Sequence, residues 1–112
     1  MKPHQIYLRF LELEKKLETE NGLPLLDPKE KIILKHISLV NNKNIRLSVK
    51  DMMDESDICS PVTMHKNIHS LVDKGWIYLE ETEDTRRKQL KLTKQAIKYF
   101  NKLGMALQNS TK

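Results

Sequence analysis

The sequence predicts a mainly α chain with one small β hairpin (α+β), and three observations predict it. Apolar residues recur at helical spacing over most of the 112 residues. Between Ser60 and Thr93 a capped helix, a glycine stop and two short apolar strands around a charged run follow one another without a gap. Just before Ser60, a short helix opened by the Ser48 to Asp51 capping box is joined to the capped helix by a turn of only a few residues, Ser56 to Cys59. A hydrophobic fraction of 38% with 31% charged residues is the balance of a soluble globular chain rather than a disordered one. The length suits a single domain.

Pro3 to Asn21 reads as the first helix, with Ile6, Phe10, Leu13 and Leu17 in a stripe that Tyr7 and Leu11 widen. Asn21-Gly22 ends it and Pro24 prevents its resumption. That stripe either packs on its own domain or pairs with a second subunit; an apolar stripe alone does not name its partner. Asp27-Pro28-Lys29-Glu30 starts the second helix as cap, first-turn proline and capping box. Ile33, Ile37 and Val40 are its inner face, and Asn41-Asn42 stops it. Ile45-Arg46-Leu47 is a brief extended piece, and Ser48 to Asp51 is a second capping box opening a short helix through Met52 and Met53. Ser60 caps the next helix, with Pro61 at its first position and Met64, Ile68, Leu71 and Val72 on one face. Lys74-Gly75 closes it. Trp76 to Leu79 is a strand, Glu80 to Lys88 a polar loop, and Leu90 to Thr93 a second strand. Thr93 caps a last helix along Ala96, Ile97, Phe100, Leu103 and Leu107, which Gly104 weakens by roughly 1 kcal/mol relative to alanine. The polar tail from Gln108 is expected to fray.

Two helices joined by a short turn, then strand, charged loop and strand, are the layout of a winged helix-turn-helix, a fold that commonly reads duplex DNA. Charge supports that direction. The net charge is +5, and from Thr85 onward Arg86, Arg87, Lys88, Lys91, Lys94, Lys98, Lys102 and Lys112 stand with no Asp or Glu. With Met64, Ile68 and Leu71 inward, Val62, His65, Lys66 and His69 take the opposite face, and Ser60, Pro61 and Thr63 its N-terminal end. Lys66 can donate to guanine or phosphate, His65 can donate or accept, and Val62 can meet a thymine methyl. Arg86 and Arg87 suit a narrow minor groove, and Lys88 the phosphate backbone. The bland alternative for each is an ordinary solvated surface. Acids at Glu80, Glu81, Glu83 and Asp84 offset some of the local charge.

These residues resemble the MarR-type winged helix. Leu47 to Met52, then Thr63 to Gly75 with Leu71 four residues before the glycine, carry the weaker part of the likeness. Asp84-Thr85-Arg86 followed by Leu90, Leu92 and Thr93 is similar to the family's wing signature and is the more specific part. The likeness covers roughly residues 30 to 100. It implies two-fold dimers, a recognition helix from each subunit in successive major grooves, and wings at minor grooves. It also implies that Arg86 pairs with Asp84 to shape the wing, and that a small-molecule effector, unidentified here, sits between dimerisation helices and the DNA-binding lobe. The chain is shorter than usual for the family after its last helix, a length closer to the SarA group.

The resulting expectation is a single winged helix-turn-helix domain over residues 1–112, mainly α with a small β wing and flanked by N- and C-terminal dimerisation helices. Residues 1–22 form the N-terminal dimerisation helix, 28–92 the DNA-binding core, and 93–107 the C-terminal helix. Ile6, Phe10, Leu13, Leu17, Phe100 and Leu103 are the candidate dimer contacts. The partners are double-stranded DNA and a second copy, with no cofactor, no membrane and a cytoplasmic location. Cys59 stands alone, so no intrachain disulfide forms, and it reads as a small half-buried hydrophobe rather than a redox sensor. Arg9, Glu12 and Glu14 interrupt any leader-like apolar run. His65 and His69 have the spacing of a two-histidine metal site, but no third ligand stands at a persuasive position, so no metal is expected. No phosphate loop, nucleophile elbow or metalloprotease motif points to an enzyme. The rival reading is a winged helix that binds another protein, as an adaptor or antirepressor does.

Overall fold

Helix starts in this chain are set by side chains that satisfy orphan N–H groups. In the computed structural model, which describes all residues except Ser56, Asp84, Thr85, Arg86 and Lys112, the Glu30 N–H donates to Asp27 and the Asp27 N–H to Glu30, at 2.8 and 2.9 Å. Ser48 and Asp51 repeat the reciprocal pair one helix later. The elements run α1 (Pro3–Glu20), α2 (Pro28–Asn42), α3 (Val49–Met53), α4 (Pro61–Asp73), β1 (Ile77–Glu80), β2 (Gln89–Leu92) and α5 (Lys94–Ser110). Both strands begin one residue away from the expected start, and α2 runs through Asn42 before Asn44, at φ 58°, turns the chain. None of the helices is long and apolar enough to cross a membrane, among the described residues.

These elements fall into two compact units, one of Leu26–Thr93 and one of Met1–Leu25 with Lys94–Lys112. In the first, α2 packs on α4 and β2, while α3 and β1 flank α4. Ile33, Ile37, Met52, Met64, Ile68, Leu71, Ile77 and Leu90 are out of water there, each stabilising by about 1.5–3 kcal/mol. The strands pair antiparallel with Ile77 opposite Leu92 and Glu80 opposite Gln89. The expected extended piece before α3 joins them: Leu90 donates to Leu47 O at 2.8 Å, Val49 donates to Lys88 O at 3.2 Å, and Ser48 bridges Gln89.

The second unit is α1 packed against α5. Here the expected stripe of α5 needs correction. Ala96, Tyr99 and Ala106 are buried with Leu103 half-buried, whereas Ile97 and Leu107 are 48% and 53% exposed. Ala96 and Leu103 stay in the covered row, but Tyr99 and Ala106 replace Ile97 and Leu107, because two adjacent rows of α5 carry apolar residues and the facing helix selects one. Nor does the tail fray at Gln108: α5 continues to Ser110, which is fully buried and donates to Ala106 O at 2.7 Å.

Candidate nucleic-acid interface

Ser60 fixes where α4 begins. Its Oγ accepts from the Thr63 N–H at 3.3 Å and donates to the Thr63 hydroxyl at 3.0 Å, so both side chains serve the cap. Pro61 occupies the first helical position. From that start, 3.6 residues per turn decide the rest. Met64, Ile68 and Leu71 point into the core, and Val62, His65, Lys66 and His69 share the exposed face, with Val62 81% exposed. Thr63 is half-buried behind them. At the other end Gly75, at φ 82°, closes the helix in the left-handed conformation. Its N–H donates to Val72 O at 3.0 Å and that of Trp76 to Leu71 O at 3.0 Å, which turns the chain directly into β1.

The hairpin presents Arg87 and Lys88 beside β2. Asp84 and Arg86, to which the sequence assigned the wing's shape, lie outside the described residues. Arg87 is exposed, and its carbonyl accepts from the Thr82 hydroxyl at 3.3 Å and the Gln89 amide at 3.2 Å. Lys88 reaches Glu81 at 3.3 Å. Exposed pairs of this kind are worth at most about 1 kcal/mol, so a phosphate can displace the carboxylate. A cleft of about 840 Å³ opens under the hairpin, where Arg46 and Lys50 join Arg87 among the acids Asp51, Asp54, Glu80 and Glu83. Nothing in the sequence marked Arg46 and Lys50 as part of this site; they flank Leu47 to Val49, whose bonds to Lys88 and Leu90 hold them beside the hairpin.

Searches against protein-family models and against curated proteins find no match for this chain. Solved structures do match. A point mutant of MepR from S. aureus aligns over 94% of this chain and 72% of its own, with 20% identity and a TM-score of 0.60. MarR from Staphylococcus aureus, solved with salicylate and kanamycin, aligns over 97% and 68%, at 19% identity and a TM-score of 0.58. A MarR-like transcriptional regulator from Thermotoga maritima aligns over 99% and 81%, at 16% identity and a TM-score of 0.58. The chain has the MarR fold. At these identities the likeness is one of fold, and it matches the helix-turn-helix, the two-stranded wing and the paired terminal helices found above.

The surface of the two terminal helices is rich in uncovered carbon. No residue of α1 is buried; Ile6, Phe10, Leu13 and Leu17 are half-buried, and Tyr7 and Leu8 are 60% and 53% exposed. On α5, Phe100 and Leu103 are half-buried and Met105 is 60% exposed. A groove of about 550 Å³ runs between the two helices, lined by Arg9, Leu13, Leu17, Met105 and Ala106. Cys59 is half-buried at the approach to α4, as a small apolar residue would be.

Proposed function

We propose that this chain is a homodimeric, MarR-like DNA-binding transcriptional regulator. The observation that carries the reading is the exposed face of α4, where Val62, His65, Lys66 and His69 stand together on a helix whose other face is core. In this reading α4 enters the major groove by its N-terminal end, where Ser60, Pro61 and Thr63 lie, and the hairpin with Arg86, Arg87 and Lys88 meets the minor groove and backbone. The terminal helices, residues 1–22 and 93–107, join the two copies through Ile6, Phe10, Leu13, Leu17, Phe100 and Leu103, while 28–92 is the DNA-binding core. A small-molecule effector belongs to the proposal as well; neighbours of the same fold were solved with salicylate and kanamycin and with ethidium bromide.

Selecting bound fragments from random duplexes, then titrating the best by fluorescence anisotropy at two salt concentrations, tests the reading. A palindromic site is expected, because a two-fold dimer reads two half-sites. With four to six phosphate contacts per dimer, affinity should fall about 100- to 1,000-fold between 50 and 200 mM salt. A chain that ignores every duplex at low salt and instead captures a protein would be the adaptor that the wing's acids Glu80, Glu81 and Glu83 also suit.

A further inference from the structure

Side chains four residues apart on a helix lie on one row, and two imidazoles in that relation can close on a single ion. In α4, His65 and His69 are both exposed, with their Nε2 atoms 3.1 Å apart. Their ring centroids lie 4.3 Å apart and the ring planes are inclined at 62°, so the rings meet edge to face rather than stacking. Two nitrogens each about 2.0–2.1 Å from one ion, subtending roughly 90° to 109°, are about 2.8–3.4 Å from each other. The observed separation falls inside that window. The same separation also lets one ring donate to the other, which needs opposite tautomers, whereas an ion needs both Nε2 lone pairs.

Spacing alone pointed to no metal because a third ligand is missing, but the closed Nε2 pair supplies two, and we infer that His65 and His69 form a chelating site for a divalent transition metal of the zinc, nickel or copper class. Imidazole nitrogen suits these ions and not magnesium or calcium, which take oxygen ligands. No group of three or more His, Cys, Asp or Glu gathers around an ion position among the described residues, so the chain supplies two ligands and water the others. Such a site is open and exchangeable rather than structural. Asp73, the next residue on the same row, adds negative charge at the end of that face. Because both rings belong to the face proposed above for DNA, a bound ion would compete with the duplex. That consequence rests on the DNA-binding reading, whereas metal uptake is measured without DNA.

Calorimetric titration of Zn(II), and separately Ni(II), into the untagged chain tests the site. His65→Ala and His69→Ala probe it, and His4→Ala and His36→Ala serve as controls for the other two histidines. One ion per chain is expected for the wild type and both controls. Either α4 variant should bind about tenfold or more weakly, since the second ligand's advantage is intramolecular. Circular dichroism checks that each variant folds, and paramagnetic Ni(II) should broaden amide signals around His65 and His69 first. Uptake that survives in both α4 variants, broadening centred elsewhere, or no uptake at millimolar Zn(II) would each overturn the assignment.

Discussion

Glu30 shows how one side chain can serve two levels of structure at once. Its backbone N–H belongs to the capping box of α2, a role legible in Asp27-Pro28-Lys29-Glu30. The residue is 1% exposed, and its carboxylate also accepts from the Ser70 hydroxyl at 2.6 Å and Lys74 Nζ at 2.7 Å, forty and more positions away on α4 and its C-cap. Burial raises the carboxyl's pKa, but the bonds from Lys74, Ser70 and the Asp27 N–H outweigh it and hold the group below its usual 4.5. A depressed folded value means the stabilisation is complete above pH 4.5 and is lost as pH falls through the lower folded value. Glu30→Gln should therefore cost about 1–3 kcal/mol in urea melts at neutral pH and lose less stability on acidification than the wild type does. Lys66 poses a different question, because nothing in the folded core holds it. If it reads a base, Lys66→Ala should weaken binding by about 1–3 kcal/mol and relax preference at one position of the selected site. Equal loss on every duplex would instead make it a phosphate contact.

At the scale of the element, the two glycines at and after α4 separate conformational need from accident. Gly75, at φ 82°, occupies a position that an L side chain resists, so Gly75→Ala should lower stability by about 1–2 kcal/mol. Gly104 lies inside α5, and an added Cβ would meet nothing within 4 Å. Gly104→Ala should raise stability by about 0.5–1 kcal/mol in the same denaturant melts. The packing of α1 on α5 has its own reporter. Burial, followed by the charges of Glu18 and Glu14, pushes the Tyr99 hydroxyl up to about 12 from 10.0. The neutral phenol is thus favoured by the fold, and its contribution is present below pH 10.0 and lost as pH rises toward 12. Phenolate absorbance should show one tyrosine ionising late, and Glu18→Gln should move that step to lower pH. The sequence missed Tyr99 because its periodicity fits two adjacent stripes of α5, and only the facing helix chooses between them.

For the whole molecule, the uncovered apolar surface of α1 and α5 bears on assembly. Tyr7 and Leu8 contribute little to the fold of one copy, so Tyr7→Glu and Leu8→Glu should change its stability by no more than about 0.5 kcal/mol. In a dimer built on these helices, either charge would be desolvated, and sedimentation equilibrium should show the variants shifted toward monomer. A wild type that sediments as a monomer would remove the two-fold reading of DNA along with the interface. Capping boxes, first-turn prolines and the Gly75 stop were determined by residues three or four positions apart, and local geometry makes such signals complete in the sequence. The exposed row of α4 was legible for the same reason: its buried partner row is large, apolar and without a competing register. Only the tertiary structure decided the bond of Glu30 to α4, the bridge of Ser48 to Gln89 and which of two apolar rows of α5 is buried. Each of these depends on which surface lies opposite, and pairing across distant positions leaves no period in the chain.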